Sequence, residues 1–417
     1  MTSLLRRYLI IFIVLGILIG FFAVGAYRLI RERITYEVYD EVITYSNIKY
    51  IPGYSSGPQI TAGSAILIDG ETGIVLFAKN EHMRRPPAST TKIMTALVAL
   101  ERGELDDIVT VSQRASRVGG SSLWLKAGQR LTLGELIEGT LVKSGNDGAT
   151  AIAEHIAGSE EEFIHLMNRK ARQMGALNTQ FKNPHGLPAA GHYSTAFDLA
   201  LITRYALRYE KFAQIVRERI TTIDFQGQDW GQQIYNTNKL LWSFEGADGV
   251  KTGTTSEAGY CLVSSATRDG RQLIGVVLRS TARWQDSARL LEYGFANFEL
   301  IHLHSRGDEV QTIEISGGMV DQLPLISGAE LNIVIPKGEK DLLEVVFIPK
   351  REAIAPYQKY ETVGELRVTL KGEEVGSVQL LASTSIQRKT IIAITWRWIN
   401  ITLKKLLEIT ISFLGRM

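Results

Sequence analysis

The sequence predicts an α+β protein: an antiparallel sheet flanked by helices plus a helical subdomain, then a small all-β domain and an amphipathic C-terminal helix. Three observations predict it. Apolar runs at 65–69 and 74–77 are separated by Gly70-Glu71-Thr72-Gly73, and runs at 260–266 and 272–278 by Arg268-Asp269-Gly270, so both pairs read as strand–turn–strand units. Helical patterns at 133–142, 149–156, 161–174 and 196–207 lie between them. After about residue 298 the runs become short and β-rich, and after about 385 helical and amphipathic. The expected domains are a signal peptide or membrane anchor at 1–27, a linker at 28–57, a main domain at 58–298, a β domain at 299–384 and a terminal helix at 385–417.

The totals exclude several function classes. A chain of 417 residues is long enough for two or three domains with real cores. Its net charge of +2, with no Lys/Arg-rich block in the middle, gives no reason to expect a nucleic-acid partner. A single cysteine, Cys261, excludes an internal disulfide framework and a cysteine-based zinc site; in its apolar strand-like run it reads as a small buried filler. Seven histidines show neither HExxH nor clustered ligand spacing, so no metal or other cofactor is expected.

At the N-terminus, Arg6-Arg7 precede an almost unbroken apolar run over 9–26. A positive segment before such a run is a secretory signal or an N-terminal membrane anchor. Val24-Gly25-Ala26 offers small residues to signal peptidase. The run is also close to the ~20 residues that span a bilayer, and Arg28, Arg31 and Arg33 follow it, which suits an uncleaved anchor. Either device delivers the rest of the chain across a membrane. No lipobox cysteine is present, which argues against a lipoprotein. The linker ends in the turn-rich Gly53-Tyr54-Ser55-Ser56-Gly57-Pro58.

After the first hairpin, Pro86-Pro87-Ala88 lead into Ser89-Thr90-Thr91-Lys92 and an apolar run that stops near Gly103. That pattern predicts a helix whose first turn carries the serine, with the lysine one turn later on the same face. A serine hydroxyl needs a base to become a nucleophile. An ordinary lysine, with a pKa of about 10.4, is protonated, but burial on an apolar helix lowers that value and frees the amine. Spacing alone is weak, since an N-capping serine and a solvated lysine give the same pattern. Ser46-Asn47-Ile48-Lys49 repeats it among strand-forming residues just before Pro52-Gly53, where no helix aligns the pair.

Lys143-Ser144-Gly145-Asn146-Asp147-Gly148 reads as a loop between helices. Ser144 could relay a proton there and Asn146 hydrogen-bond a peptide. Asn183-Pro184-His185-Gly186-Leu187 and His192-Tyr193-Ser194-Thr195-Ala196 follow, their histidines reading as structural. Asp248-Gly249-Val250-Lys251-Thr252-Gly253-Thr254-Thr255 precedes the second strand pair. A Lys-Thr-Gly on a sheet edge suits a peptide carboxylate: fixed charge, a hydroxyl donor and a glycine that lets backbone approach.

Taken together, SxxK, Ser-x-Asn and Lys-Thr-Gly in that order form the signature set of the β-lactamase and penicillin-binding protein superfamily. The contexts at 87–96, 144–147, 183–187, 192–196 and 248–253 resemble the serine-type D-alanyl-D-alanine carboxypeptidases, the low-molecular-mass penicillin-binding proteins of the peptidase S11 family. The resemblance runs from about residue 58 to the end. Gly145 and Gly148 depart from it, standing where the family usually has alanine.

The resemblance implies a β-lactamase/transpeptidase-like catalytic domain at 58–298. It implies that Ser89 attacks the bond between the terminal D-alanines of a peptidoglycan stem peptide, that Lys92 takes its proton and that Ser144 helps pass it to the leaving D-alanine. Asn146, Lys251, Thr252, Gly253 and Thr254 become substrate-binding residues, and the backbone N–H groups of Ser89 and Thr254 an oxyanion hole. It also implies covalent inhibition by β-lactams, a role in cell-wall biosynthesis and cell shape, and work on the outer face of the bacterial cytoplasmic membrane. Two other readings compete. A class A β-lactamase deacylates with a glutamate between the second and third motifs; residues 163–209 hold none, and their only carboxylate is Asp198. A catalytically idle penicillin-binding sensor or scaffold requires a broken motif, and none is broken.

Beyond residue 298, β-rich runs at 310–315, 330–335, 343–348, 365–370 and 377–381 are separated by turns such as Gly317-Gly318 and Pro336-Lys337-Gly338. This part resembles the C-terminal β domain of the same carboxypeptidases, with Tyr360 where that family often has glycine. In 387–417, Arg397, Asn400, Lys404, Lys405, Glu408 and Arg416 recur on one side, with Trp398, Ile399, Leu403, Leu406, Leu407, Phe413 and Leu414 on the other. Such a helix suits a membrane interface, so a membrane surface is an expected partner.

Overall fold

Every residue of the first strand, β1 (Ser64–Asp69), is buried, as befits a strand inside a sheet covered on both faces. The structure, a computed structural model, describes residues 50–51, 57–224, 231–390 and 395. The apolar run at 9–26, the Ser46–Lys49 repeat and nearly all of the amphipathic tail lie outside the described residues. Among those described, no helix is long and apolar enough to cross a membrane.

The expected hairpin forms from β1 and β2 (Val75–Lys79). A 3-10 turn, Ala88–Thr91, leads into α1 (Lys92–Arg102), followed by a small ribbon of β3 (Ile108–Thr110) and β4 (Arg130–Thr132). Helices α2 (Leu133–Val142), α3 (Asn146–Ala157), α4 (Glu160–Gln173), α5 (Ala196–Ala206) and α6 (Glu210–Arg217) come next. Thr132 and Glu135 form a reciprocal capping box that starts α2, and Ser159 caps α4 ahead of Glu160, Glu161 and Glu162. A ribbon of β5 (Ile220–Asp224) and β6 (Gly231–Tyr235) and the short α7 (Leu240–Ser243) precede the long strands β7 (Ala247–Thr255), β8 (Gly259–Arg268) and β9 (Arg271–Ser280), then α8 (Arg283–Asn297). The β8–β9 turn holds Asp269 and Gly270 at φ values of 50° and 79°, the pair of left-handed residues a tight hairpin needs.

The antiparallel sheet runs β2-β1-β9-β8-β7, leaving β7 on an edge. Helix α8 packs on β8 and β9, and α5 on β1 and β9. Helix α1 sits amid α2, α3, α4, α5 and α6, and all of its residues from Lys92 to Ala99 are buried. A helix apolar nearly all round is a core helix; here it carries a lysine inside with it. One segment departs from the linker expected at 28–57: Tyr50 bridges Val75, and Ile51 donates its N–H to Val75 O and is buried in the core beneath the sheet.

The remaining strands are β10 (Phe298–His304), β11 (Glu309–Glu314), β12 (Gln322–Ser327), β13 (Leu331–Pro336), β14 (Leu343–Pro349), β15 (Thr362–Leu370) and β16 (Glu373–Ala382). Five of them form a sheet in the order β11-β12-β16-β15-β14, and β10 pairs with β13. Strand β12 carries Pro324, which masks it in the sequence. Its ladder with β16 spans only Leu325–Ser327, so Pro324 stands where no N–H to β16 is required. Strand β13 has one face in each of two cores. Leu331, Ile333 and Ile335 join the core of the β-rich part, whereas Val334 packs with Leu300 and Phe298 among the sheet and α8 residues. Tyr360 adopts the left-handed region at φ 68°, which glycine enters freely, while its N–H reaches Ala382 O at 2.8 Å.

Candidate active site

Ser89 lies in the 3-10 turn ahead of α1, not in the first α-helical turn the spacing predicts. In a 3-10 turn residues i and i+3 eclipse, so the tighter winding brings the serine over the lysine more directly. Two glycines make room for it. A side chain on Gly253 would come within 2.9 Å of Pro87 O and 3.2 Å of Ser89 N, and one on Gly186 (φ 88°) would overlap Ala88 O. Strand β7, the nucleophile turn and the 183–187 loop thus meet backbone to backbone.

Lys92 is wholly buried, and its Nζ lies 3.0 Å from Ser89 Oγ, 2.6 Å from Asn146 Oδ1 and 2.7 Å from the His185 carbonyl oxygen. Burial, and after it the positive charge of Lys251, holds its pKa well below the ordinary lysine value. A neutral amine has two N–H donors and one lone pair. Asn146 Oδ1 and His185 O take the donors, which leaves the lone pair for the Ser89 hydroxyl proton.

The second motif differs from the expected loop: Asn146, Asp147 and Gly148 are the first turn of α3, with Gly145 before them. Ser144 is buried in a left-handed conformation, φ 71°, just ahead of that turn. Asn146 faces two ways, accepting from Lys92 while its Nδ2 donates to Gly119 O at 2.6 Å. Asp147 holds the loop opposite. Its carboxylate accepts from Ser122 Oγ at 2.6 Å, Leu123 N at 3.0 Å and Leu125 N at 3.1 Å. Gly145 and Gly148 prove to be tightly enclosed, since a Cβ on either would press on Leu123, at 2.6 Å and 3.0 Å.

On β7, Lys251 is buried and its Nζ has no hydrogen-bond partner among the described residues. Burial, aided by Arg283, pulls its pKa down to about 7. Thr252 Oγ1 lies 2.7 Å from Thr237 Oγ1. Arg283, at the start of α8, donates Nη1 to Thr254 Oγ1 at 2.7 Å and Gly253 O at 3.0 Å. Lys251, Thr252, Thr254 and Arg283 therefore make an anion-seeking end of the cleft, a few residues along the edge strand from Ser89's neighbour Gly253.

The histidines are structural. His185 is pushed down to about 3 by burial and Lys92, and its Nδ1 accepts from Leu187 N; His192, down to about 4, accepts from Lys182 N and meets Thr91 Oγ1 at 2.9 Å. Cys261 is buried, its thiol pushed up to about 11. Asp198 is buried and committed to Asn178 N and Thr179 Oγ1. Among the described residues no three His, Cys, Asp or Glu side chains are grouped to hold a metal.

The structure thus brings Ser89, Lys92 and Asn146 into direct contact, sets Gly253 against the nucleophile turn, and puts Lys251, Thr252 and Thr254 on the same edge strand. Sequence reasoning missed Arg283, which lies 30 residues past Gly253 at an unremarkable helix start, and the loop at 119–125. The sole signal for that loop was Asp147, an acid beside the second motif.

Residues 53–282 match the D-alanyl-D-alanine carboxypeptidase family of peptidases S11, and residues 298–388 the C-terminal domain of penicillin-binding protein 5. The D-alanyl-D-alanine carboxypeptidase DacF of Bacillus subtilis is 36% identical over 339 residues, covering 78% of this chain and 86% of that protein. DacA of Escherichia coli, of the same description, is 38% identical over 347 residues, covering 79% and 84%. The crystal structure of penicillin-binding protein 5 from Haemophilus influenzae superposes with a TM-score of 0.73 at 33% identity, covering 80% of this chain and 99% of that one.

Proposed function

This chain belongs to the D-alanyl-D-alanine carboxypeptidase family, and from that premise we propose which of its residues perform the reaction. It is a serine peptidase that removes the terminal D-alanine from peptidoglycan stem peptides, and with its family it binds β-lactams. Ser89 Oγ attacks the carbonyl carbon of the penultimate D-alanine while its proton passes to Lys92 Nζ. The carbonyl oxygen becomes an oxyanion held by the N–H groups of Ser89 and Thr254. Its collapse breaks the C–N bond, and the proton returns from Lys92 through Ser144 to the leaving amine. Water then hydrolyses the Ser89 ester. Asn146 holds the substrate amide. Lys251, Thr252, Thr254 and Arg283 hold the terminal carboxylate, and Gly253 keeps the edge strand close.

The observation that carries this assignment is the coordination of Lys92, whose two N–H donors are occupied and whose third direction faces Ser89 Oγ at 3.0 Å. Incubation with a peptide ending in D-Ala-D-Ala should release free D-alanine. Mass spectrometry after penicillin should find a stable adduct on Ser89. An adduct elsewhere, or release by a Ser89→Ala variant, overturns the assignment.

The same proposal divides the chain at 58–298 and 299–384 into a catalytic part and a β-rich spacer, after an export segment at 1–27. Residues 385–417 form a membrane-associating helix, supported by Arg397, Lys404 and Lys405 set opposite Trp398, Leu403 and Leu407. Flotation with anionic liposomes tests this: loss of 385–417 together with 1–27 abolishes binding, and retained binding refutes it.

A further inference from the structure

Topology gathers three segments at one end of the β-rich sheet. Every pairing in the order β11-β12-β16-β15-β14 is antiparallel, so β11, β14 and β16 finish at that end, where β12 and β15 start. The loops at 315–321 and 350–361 and the outgoing chain at 383–390 therefore lie together. Backbone bonds tie them: Ala355 N–H reaches Ser316 O at 3.0 Å, Met319 N–H reaches Gln387 O at 3.0 Å, and Ile386 and Tyr357 exchange bonds of 2.8 and 3.0 Å. The opposite end faces the catalytic part. There Lys371 Nζ meets Glu339 Oε1 at 2.7 Å, and Lys337 N–H reaches Asn297 O at the end of α8. The nine residues of β15 hold the two ends about 30 Å apart.

The first end exposes apolar side chains among cations. Tyr360 is 60% exposed, Val320 44% and Ile354 40%. Tyr360 keeps its ring in solvent at a left-handed backbone position that glycine fits without strain, so packing gives no reason for a tyrosine there. Lys359 Nζ lies over that ring at 4.8 Å. The three segments carry five cations against three acids. Arg351 is paired with Glu361 at 3.2 Å, whereas Lys350, Lys359, Arg388 and Lys389 make no ion pair among the described residues. The connections at the other end, 305–308, 328–330, 337–342 and 371–372, hold four cations and four acids, so the positive excess belongs to one end alone. Apolar and aromatic tips set among unpaired cations match a lipid–water interface with anionic headgroups. The amphipathic sequence of 391–417 continues from Thr390 at this same end.

We propose that this end of the β-rich part is itself a membrane-contact surface, distinct from the tail, and that it rests on anionic phospholipid. Tyr360, Val320 and Ile354 meet the headgroup layer, and Lys350, Lys359, Arg388 and Lys389 meet lipid phosphates. The inference rests on the membrane-associating reading of 385–417 and extends it from the tail to the folded part. These contacts add to those of the tail and do not replace them. Once the tail holds the chain, the surface meets lipid at high effective concentration, so individually weak contacts count. With the catalytic part at the other end of β15, lipid contact here fixes which way the strands stand on the membrane.

The test uses the full chain, whose only cysteine, Cys261, is buried with its thiol pushed up to about 11, so an introduced cysteine takes a fluorophore selectively. Tyr360→Cys, Val320→Cys and Lys371→Cys are labelled singly and bound to phosphatidylglycerol-containing vesicles that carry a nitroxide quencher on their headgroups. On bound protein the labels at 360 and 320 should be quenched and the label at 371 should not. Lys350→Gln combined with Lys359→Gln should weaken binding to these vesicles about tenfold and leave D-alanine release from a soluble peptide unchanged. Labels at 360 and 320 that stay bright on bound protein, as a surface for a protein partner would leave them, overturn the proposal. Equal quenching at 371, or full affinity in the double lysine variant, also overturns it. If the unaltered chain does not bind vesicles, the reading of the tail fails instead. The labels are then read on the chain held by a C-terminal hexahistidine to nickel-chelating lipid in the same vesicles: quenching at 360 and 320 upholds the surface, and none overturns it.

Discussion

Two lysines in the cleft are buried alike, and the proposed mechanism uses them oppositely. In that proposal Lys92 works neutral, as the acceptor of the Ser89 proton, and Lys251 works charged, as the partner of a carboxylate. In the free enzyme kcat/KM should therefore rise with pH as Lys92 loses its proton and fall as Lys251 loses its own near pH 7. A Lys251→Arg variant, whose cation does not titrate in this range, should move the falling limb above pH 9 while weakening activity through altered shape. A falling limb left at 7 would mean that another group sets it. The same burial has a stability cost. The folded chain binds fewer protons than the unfolded one between about 7 and 10.5, so stability rises with pH through that window, by about 1.4 kcal/mol per unit for one group. It is lowest below pH 7, where both states are protonated. Lys251→Met should accordingly raise the melting temperature at pH 6, by roughly 1–4 kcal/mol in stability, while abolishing turnover. Thermal unfolding followed by circular dichroism reads the first effect and D-alanine release the second.

At the scale of elements, the cleft depends on how α3 begins. The Asp147 carboxylate receives Ser122 Oγ, Leu123 N and Leu125 N, and Asn146 Nδ2 binds Gly119 O, so one helical turn secures the whole opposing loop. Asp147→Ala should cost roughly 1.5–3 kcal/mol of stability and lower kcat more than it raises KM, since Asn146 loses its setting. An unchanged kcat would show the loop to be self-supporting. Gly145→Ala, although it restores the family's usual residue, should reduce activity here because its Cβ meets Leu123 Cγ at 2.6 Å; a Leu123→Ala partner should recover part of the loss. The three motifs were legible because each is a local pattern whose chemistry needs those residues at that spacing. The winding of the Ser89 turn and the helical start at Asn146 were not. Tertiary contacts decide both: Gly186 and Gly253 admit the 3-10 turn, and the 119–125 loop bonds to the first turn of α3. Arg283 was hidden for a related reason, since only the fold carries a helix start to the end of an edge strand.

Across the whole molecule, apolar runs bounded by turn residues predicted both hairpins of the main sheet and most of the β-rich strands, whereas Pro324 concealed β12 and the shared strand pair β10–β13 was not foreseen. Period-two alternation tells that a strand has two faces but not which core each face meets. In β13 both faces are buried against different partners, with Ile333 and Ile335 on one side and Val334 on the other. Heating should therefore give a single calorimetric transition, with van't Hoff and calorimetric enthalpies in agreement. Val334→Asp should lower the stability of the catalytic part although it lies some 80 residues beyond Gly253 in the chain; roughly 3 kcal/mol or more is expected for an unpaired buried charge. Two separate transitions would disprove the coupling. The arrangement also limits how such a protein can be recombined. A chimera joined at residue 298 exchanges not only the β-rich part but also the strand that closes the catalytic core. Interchangeable halves must therefore match at Val334 and Leu300, and the working unit of exchange is a surface in space, not a cut in the chain.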